Sequence, residues 1–260
     1  MKKLLFIGLL IAACSEPKEV QAPQKTTEPV QNRVLKKSLP YTDHQGKTHK
    51  YTLSFPESYL EQEAVPVLVY LHGSGGNENS ELGVADYIDN MLLECNARYP
   101  LIVYPSDENK LYILEDNYHI AFGLLDEIAK EYSIANASKR MIAGFSDGAS
   151  AASRAPIINP GSYALSFSWS GWIWAKDTTL FDAVGNNAEQ LNRLGYKAVY
   201  FTGDSDHPNA YNKLITYLEP NNIQYELTVL DDQGHNLGLY HQRTRTQFKT
   251  QLCRLFAQEQ

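Results

Sequence analysis

Gly144-Phe145-Ser146-Asp147-Gly148 holds the first residues whose types and spacing could do chemistry. Met141-Ile142-Ala143 precedes it, and the small residues Ala149-Ser150-Ala151-Ala152 follow. A serine with a glycine two residues away on each side, at a strand-to-helix turn, matches the nucleophile-elbow pattern. The turn is tight, so side chains at the flanking positions would strike the adjoining strand and helix. The strain would push the Ser146 hydroxyl out of the sheet, where a base can reach it. The pattern arises by chance in roughly one chain in ten of this length, so its surroundings must carry the rest.

A hydroxyl nucleophile needs a base, a group to orient that base, and donors for the oxyanion. His72-Gly73-Ser74-Gly75-Gly76-Asn77 follows an upstream apolar run. There, glycines let backbone N–H groups face a ligand. The predicted oxyanion donors are Asp147 N–H together with Ser74 or Gly75 N–H. Among seven histidines, His235 is expected to be the base. It follows the run Gln224–Leu230 and lies C-terminal to the other candidates. His72 is read as structural in its loop, and His119 and His241 as helix residues. For the acid, Asp206 is favoured because it stands three residues after Gly203. Asp204 is the alternative, with loop fixation as its other role. Asp231 and Asp232 share the histidine's strand and are read as turn caps. Together these residues would support acyl transfer from Ser146, with no cofactor and no metal.

Such residues need a scaffold that gathers them at one edge. Val34–Leu39 and Lys50–Phe55 flank a polar turn and predict a β-hairpin. Val65–Leu71, Leu101–Tyr104, Arg140–Phe145, Ala164–Trp169, Lys197–Thr202 and Gln224–Leu230 read as strands, several of them near-continuous apolar runs. Helical spacing falls at Val84–Ala97, Tyr118–Tyr132, Asp177–Leu194, Tyr211–Leu218 and Tyr240–Phe256. The alternation predicts an α/β fold with a mostly parallel sheet, an N-terminal antiparallel hairpin and helices on both faces. In such sheets ligands bind beyond the C-terminal strand ends, which is where the candidate residues fall.

Taken with Leu71-His72-Gly73, Gly203…Asp206 and Gly234-His235-Asn236, the elbow makes residues 33–257 resemble the α/β-hydrolase superfamily. Within it, the chain is similar to bacterial single-domain esterases of the feruloyl-esterase and polyhydroxyalkanoate-depolymerase-like group. His207-Pro208 departs from the Val-Pro step found after the aspartate in many members. The resemblance implies carboxylic ester hydrolysis through an acyl-enzyme. A serine peptidase of the same fold, or a non-catalytic envelope-binding lipoprotein, is the alternative. Trp172 and Trp174 follow a strand end and are candidate walls of a substrate pocket. The short stretch before Lys197 leaves no room for a large lid, so a small or polymeric ester would fit.

The chain has 260 residues, 43% hydrophobic and 20% charged, with a formal net charge of −7. An acidic surface without a Lys/Arg cluster argues against nucleic acid as a partner. Residues 1–13 read as a signal peptide: Lys2-Lys3, then an apolar stretch too short to span a bilayer. Ile11-Ala12-Ala13-Cys14 resembles a lipobox, so Cys14 is the expected lipidation site. Residues 14–32 then form a tether rich in Pro, Gln, Glu, Lys and Thr, and 33–260 the catalytic domain. The only membrane contact expected is the lipid anchor, in a bacterial cell envelope. Ser15 after the cysteine points to the outer membrane. An exported compartment would permit a Cys95–Cys253 disulfide, and two buried thiols are the other reading. The seventeen tyrosines are read as strand and helix packing.

Overall fold

A computed structural model describes residues 32–61, 64–106 and 119–257. The predicted signal peptide, the lipidation site Cys14 and the tether up to residue 31 lie outside the described residues. The chain opens with an antiparallel pair, β1 (Arg33–Thr42) and β2 (Thr48–Pro56). Its turn is shaped by Asp43, whose Oδ1 accepts from the N–H groups of Gln45 and Lys47. Six further strands follow: β3 (Val67–Leu71), β4 (Leu101–Ser106), β5 (Arg140–Phe145), β6 (Leu165–Trp169), β7 (Lys197–Gly203) and β8 (Gln224–Leu230). The sheet order is β1-β2-β4-β3-β5-β6-β7-β8, with β3 to β8 mutually parallel.

Side-chain alternation divides the core. Val67, Val69, Leu71, Val103 and Ile142 face α2 (Ile120–Ile128) and α3 (Asp147–Ile158). Leu68, Tyr70, Ile102, Phe167 and Phe201 face α1 (Val84–Leu93) and α6 (Leu237–Leu255). Ala198 and Tyr200 complete a third cluster against α4 (Thr178–Leu194) and α5 (Asn212–Leu218). Strands buried on both faces favour apolar residues at every position, as in β3; the buried serines of β6, Ser166 and Ser168, are instead bonded to Tyr196 and Ser153.

Helix ends differ most from the sequence reading. Helix α1 stops at Leu93 rather than Ala97. Asn96 adopts a left-handed φ of 50°, and Ala97 turns away to bridge Ala257. Helix α6 starts at Leu237 rather than Tyr240, because the Asn236 side chain accepts from Leu239 N–H at 3.0 Å and caps it. A disulfide joins Cys95 to Cys253, 158 residues apart, and ties the turn after α1 to the last turns of α6.

Candidate active site

The elbow occupies the crossing from β5 to α3. Ser146 has φ 56° and ψ −118°, a strained conformation for an L-residue. Its N–H is still held by Trp169 O at 2.9 Å, so the strain is imposed by the sheet on one side and the helix on the other. Both glycines are sterically required. A Cβ on Gly144 would lie 2.5 Å from the Gly148 carbonyl, and one on Gly148 would lie 2.3 Å from Leu71 O. Helix α3 therefore packs directly on the end of β3, and no side chain fits between them.

The hydroxyl that this turn projects meets a histidine. Ser146 Oγ lies 2.9 Å from His235 Nε2, and His235 Nδ1 lies 3.0 Å from Asp206 Oδ2. The Asp206 carboxylate is buried, whereas the imidazole is about half exposed. The loops that carry Asp206 and His235 are packed backbone on backbone. A Cβ on Gly203 would come within 1.9 Å of Gln233 O, so Gly203 lets the two strand ends converge. Asp204 takes the other role. It is exposed, accepts from Gln233 N–H at 3.3 Å and from Ser205 Oγ at 3.1 Å, and so fastens one loop to the other. Its pKa is lowered, first by the backbone N–H of Asp232.

The loop after β3 wraps around its own histidine. His72 is buried, its Nδ1 is 2.7 Å from Gly73 O, and burial lowers its pKa. A Cβ on Gly76 would strike the His72 ring at 2.7 Å. The loop passes close to Ser146, since a Cβ on Gly73 would sit 3.5 Å from Ser146 Cβ. Ser74 and Asp147 line the same cavity as Ser146, while Gly75, with φ 79°, is not among the residues lining it. Ser146 and Asp147 open α3, whose N-terminal N–H groups and dipole favour negative charge.

This cavity measures about 230 Å³ and is also lined by Ser150, Ser170, Trp172, Trp174, His207 and His235. Trp172 and Trp174 are 47% and 41% exposed, which leaves a large part of each ring open to a ligand. Trp172 is anchored through its N–H to Ser150 Oγ at 2.9 Å, which ties this wall to the first turn of α3.

Four residues at the site escaped the sequence reading. Ser170 Oγ donates to Asp206 Oδ2 and lies 2.7 Å from His235 Nδ1. Tyr240 Oη donates to the same Asp206 oxygen at 3.2 Å; burial and the Asp206 charge raise its pKa and keep it a donor. His207 packs edge-on to Trp172 at 5.4 Å, with Nε2 3.8 Å from Asp206 Oδ1. Ser150 sits one helical turn beyond Ser146. Only Ser170 had a legible signal, a hydroxyl residue directly after a buried strand. His241, read as a helix residue, is packed between Tyr87 and Trp169, where burial lowers its pKa to about 4.

No family model matches the sequence, and neither does any curated protein. Solved structures do match. A ferulic acid esterase from Anaeromyces mucronatus in complex with ferulic acid superposes with a TM-score of 0.67 at 17% identity, covering 95% of this chain and all of its own. An S-formylglutathione hydrolase from Staphylococcus aureus gives 0.64 at 15%, covering 86% of this chain and 97% of its own. The feruloyl esterase module from Clostridium thermocellum, complexed with sinapinate, gives 0.66 at 18%, covering 88% and 89%. With the sheet order described above, these matches identify the architecture of this chain as the α/β-hydrolase fold.

Proposed function

We propose that the protein is a serine esterase in which Ser146, His235 and Asp206 form the catalytic triad. The observation that carries this reading is the continuous chain of contacts from Ser146 Oγ to His235 Nε2 and from His235 Nδ1 to Asp206 Oδ2. Ser146 attacks the ester carbonyl as His235 takes its proton. Asp206 stabilises the imidazolium, which then protonates the leaving alcohol. Water, activated by the same histidine, releases the acid from Ser146. Asp147 N–H and Ser74 N–H receive the oxyanion, and each such donor lowers the barrier by about 3 kcal/mol.

Esters of aryl-substituted acids suit the cavity best. Its lining is mostly apolar and carries two open tryptophan faces. Neighbours of the same fold hold ferulic acid and sinapinate. We further propose that the protein acts in a bacterial cell envelope, anchored through a lipid on Cys14, as the lipobox-like sequence indicates. The Cys95–Cys253 bridge suits an oxidising compartment.

A fluorophosphonate probe on the purified protein tests the chemistry. Labelling should be strong and absent in Ser146→Ala, whose turnover should fall by about 10⁶. Equal labelling of the two proteins would end the triad reading. A panel of acetyl, long-chain acyl and feruloyl esters beside aminoacyl arylamides tests the substrate class. Turnover of the amides alone would assign a peptidase instead. Radiolabelled palmitate incorporation, lost in Cys14→Ser, is the outcome expected for the anchor.

A further inference from the structure

We infer that Ser170 is a fourth member of the catalytic array, a positioning residue that holds His235 and Asp206 in their working arrangement. This rests on the triad reading above.

Ser170 directly follows β6 and is 2% exposed. Its φ is 56°, a conformation that favours glycine, yet serine occupies it. Its N–H remains bonded to Phe201 O at 2.8 Å, so the residue leaves the sheet at a fixed point. The chain then turns sharply under α3, where a Cβ on Gly171 would lie 2.2 Å from Tyr211 Oη and 2.8 Å from Ala149 Cβ. The strained backbone therefore directs the Ser170 hydroxyl into the gap between acid and base.

Proton counting fixes what the hydroxyl does there. It has one hydrogen and lone pairs to accept with. The hydrogen goes to Asp206 Oδ2, and His235 Nδ1 lies 2.7 Å away, nearer than the 3.0 Å from Nδ1 to the carboxylate itself. With that hydrogen committed, Ser170 Oγ meets Nδ1 as an acceptor, so Nδ1 carries a proton. Neutral His235 then presents a bare Nε2 to the Ser146 hydroxyl, the tautomer that a general base needs. Tyr240 Oη donates to the same carboxylate oxygen. Asp206 Oδ2 is thus held from two sides while it faces the imidazole.

The test compares Ser170→Gly and Ser170→Ala with the parent protein. Glycine suits φ 56° better than serine does, so it removes the hydroxyl without adding strain and keeps the test open if the alanine variant fails to fold. We expect kcat to fall ten- to a hundredfold in both, as for loss of a charge-assisted hydrogen bond, with KM unchanged. The fluorophosphonate labelling rate should fall by the same factor. The downfield proton resonance of His235 Nδ1–H should move, a change that a purely structural role would not produce. In an Asp206→Asn background, Ser170→Gly should have little further effect, because both act through one imidazole. Parent-like labelling and an unmoved resonance in Ser170→Gly would overturn the inference while leaving the triad intact. Failure of the parent to label would instead count against the triad.

Discussion

The two ends of the sheet put their residues to different uses. At the end where β5, β6, β7 and β8 finish, Ser146, Ser170, His207 and Asp232 all have left-handed φ values between 48° and 56°. Each costs about 1–3 kcal/mol, and each aims a side chain or turns a loop toward the cavity. The opposite end is cross-linked. Arg33 pairs with Asp89, both nearly buried, and also donates to the carbonyls of Ser54 and Pro100. The Cys95–Cys253 bridge and the Glu94 contacts with Arg245 and Lys249 join α1 to α6. Left-handed residues occur at this end too, at Ala64, Asn96 and Asn222, so the ends differ in use rather than in strain: one aims side chains at a cavity, the other ties elements together.

Substitutions at each end should therefore fail in different ways. Asp206→Asn should lower kcat by about 10⁴ with the fold intact, whereas Asp204→Asn should stay within a few-fold in a steady-state assay. Equal losses would move the acid to Asp204 or show that both loops collapse together. At the fastened end, Cys95→Ala should lower stability in urea unfolding by about 5 kcal/mol, the chain-entropy value for a closed loop of 158 residues. Between the two ends lies His241. Its folded pKa of about 4 is below the unfolded value, so the unfolded chain binds the extra proton first. Stability should be unaffected above about pH 6.5 and fall by about 3 kcal/mol on acidification to pH 4. His241→Phe should flatten that slope in melts recorded across this range. A smaller effect is expected of Trp172→Ala. It should raise KM for a feruloyl ester by about tenfold and leave an acetyl ester nearly unchanged, the scale of one lost aromatic contact. Equal changes for both esters would remove Trp172 from the acyl wall.

The fold was legible because its strands are buried on both faces. Runs such as Val67–Leu71 and residues 141–145 leave no polar position to blur the reading. The exchange of β3 and β4 in the sheet order was not legible, since nothing in either strand names its neighbour. At the site, Ser146 announced itself through Gly144 and Gly148, whose side chains are sterically forbidden. The choice between Asp206 and Asp204 rested on one spacing. In the structure, Asp206 meets His235 and Asp204 meets the backbone of Gln233. Tyr240 was invisible, and Ser170 was legible only as a hydroxyl after a buried strand, because their roles depend on the convergence of β6, β7 and α6. A hydroxyl at position 170 gains meaning only once a residue 36 positions later stands beside it. The cysteine pairing was likewise open until α1 and α6 were placed on the same face.

Helix α6 connects the two ends mechanically. Its 19 residues make a rod about 28 Å long, with the loop of His235 at its start and Cys253 near its far tip. A tilt of about two degrees about the tip would carry the imidazole about 1 Å, a displacement that can cost a hundredfold in rate. The disulfide sits at that pivot, where it fixes the tip but has no moment arm against the tilt. The angle of the rod, and with it the place of the His235 imidazole, is held instead by Tyr240, Phe248 and Leu252 packed along its length and by the Asn236 cap at its start.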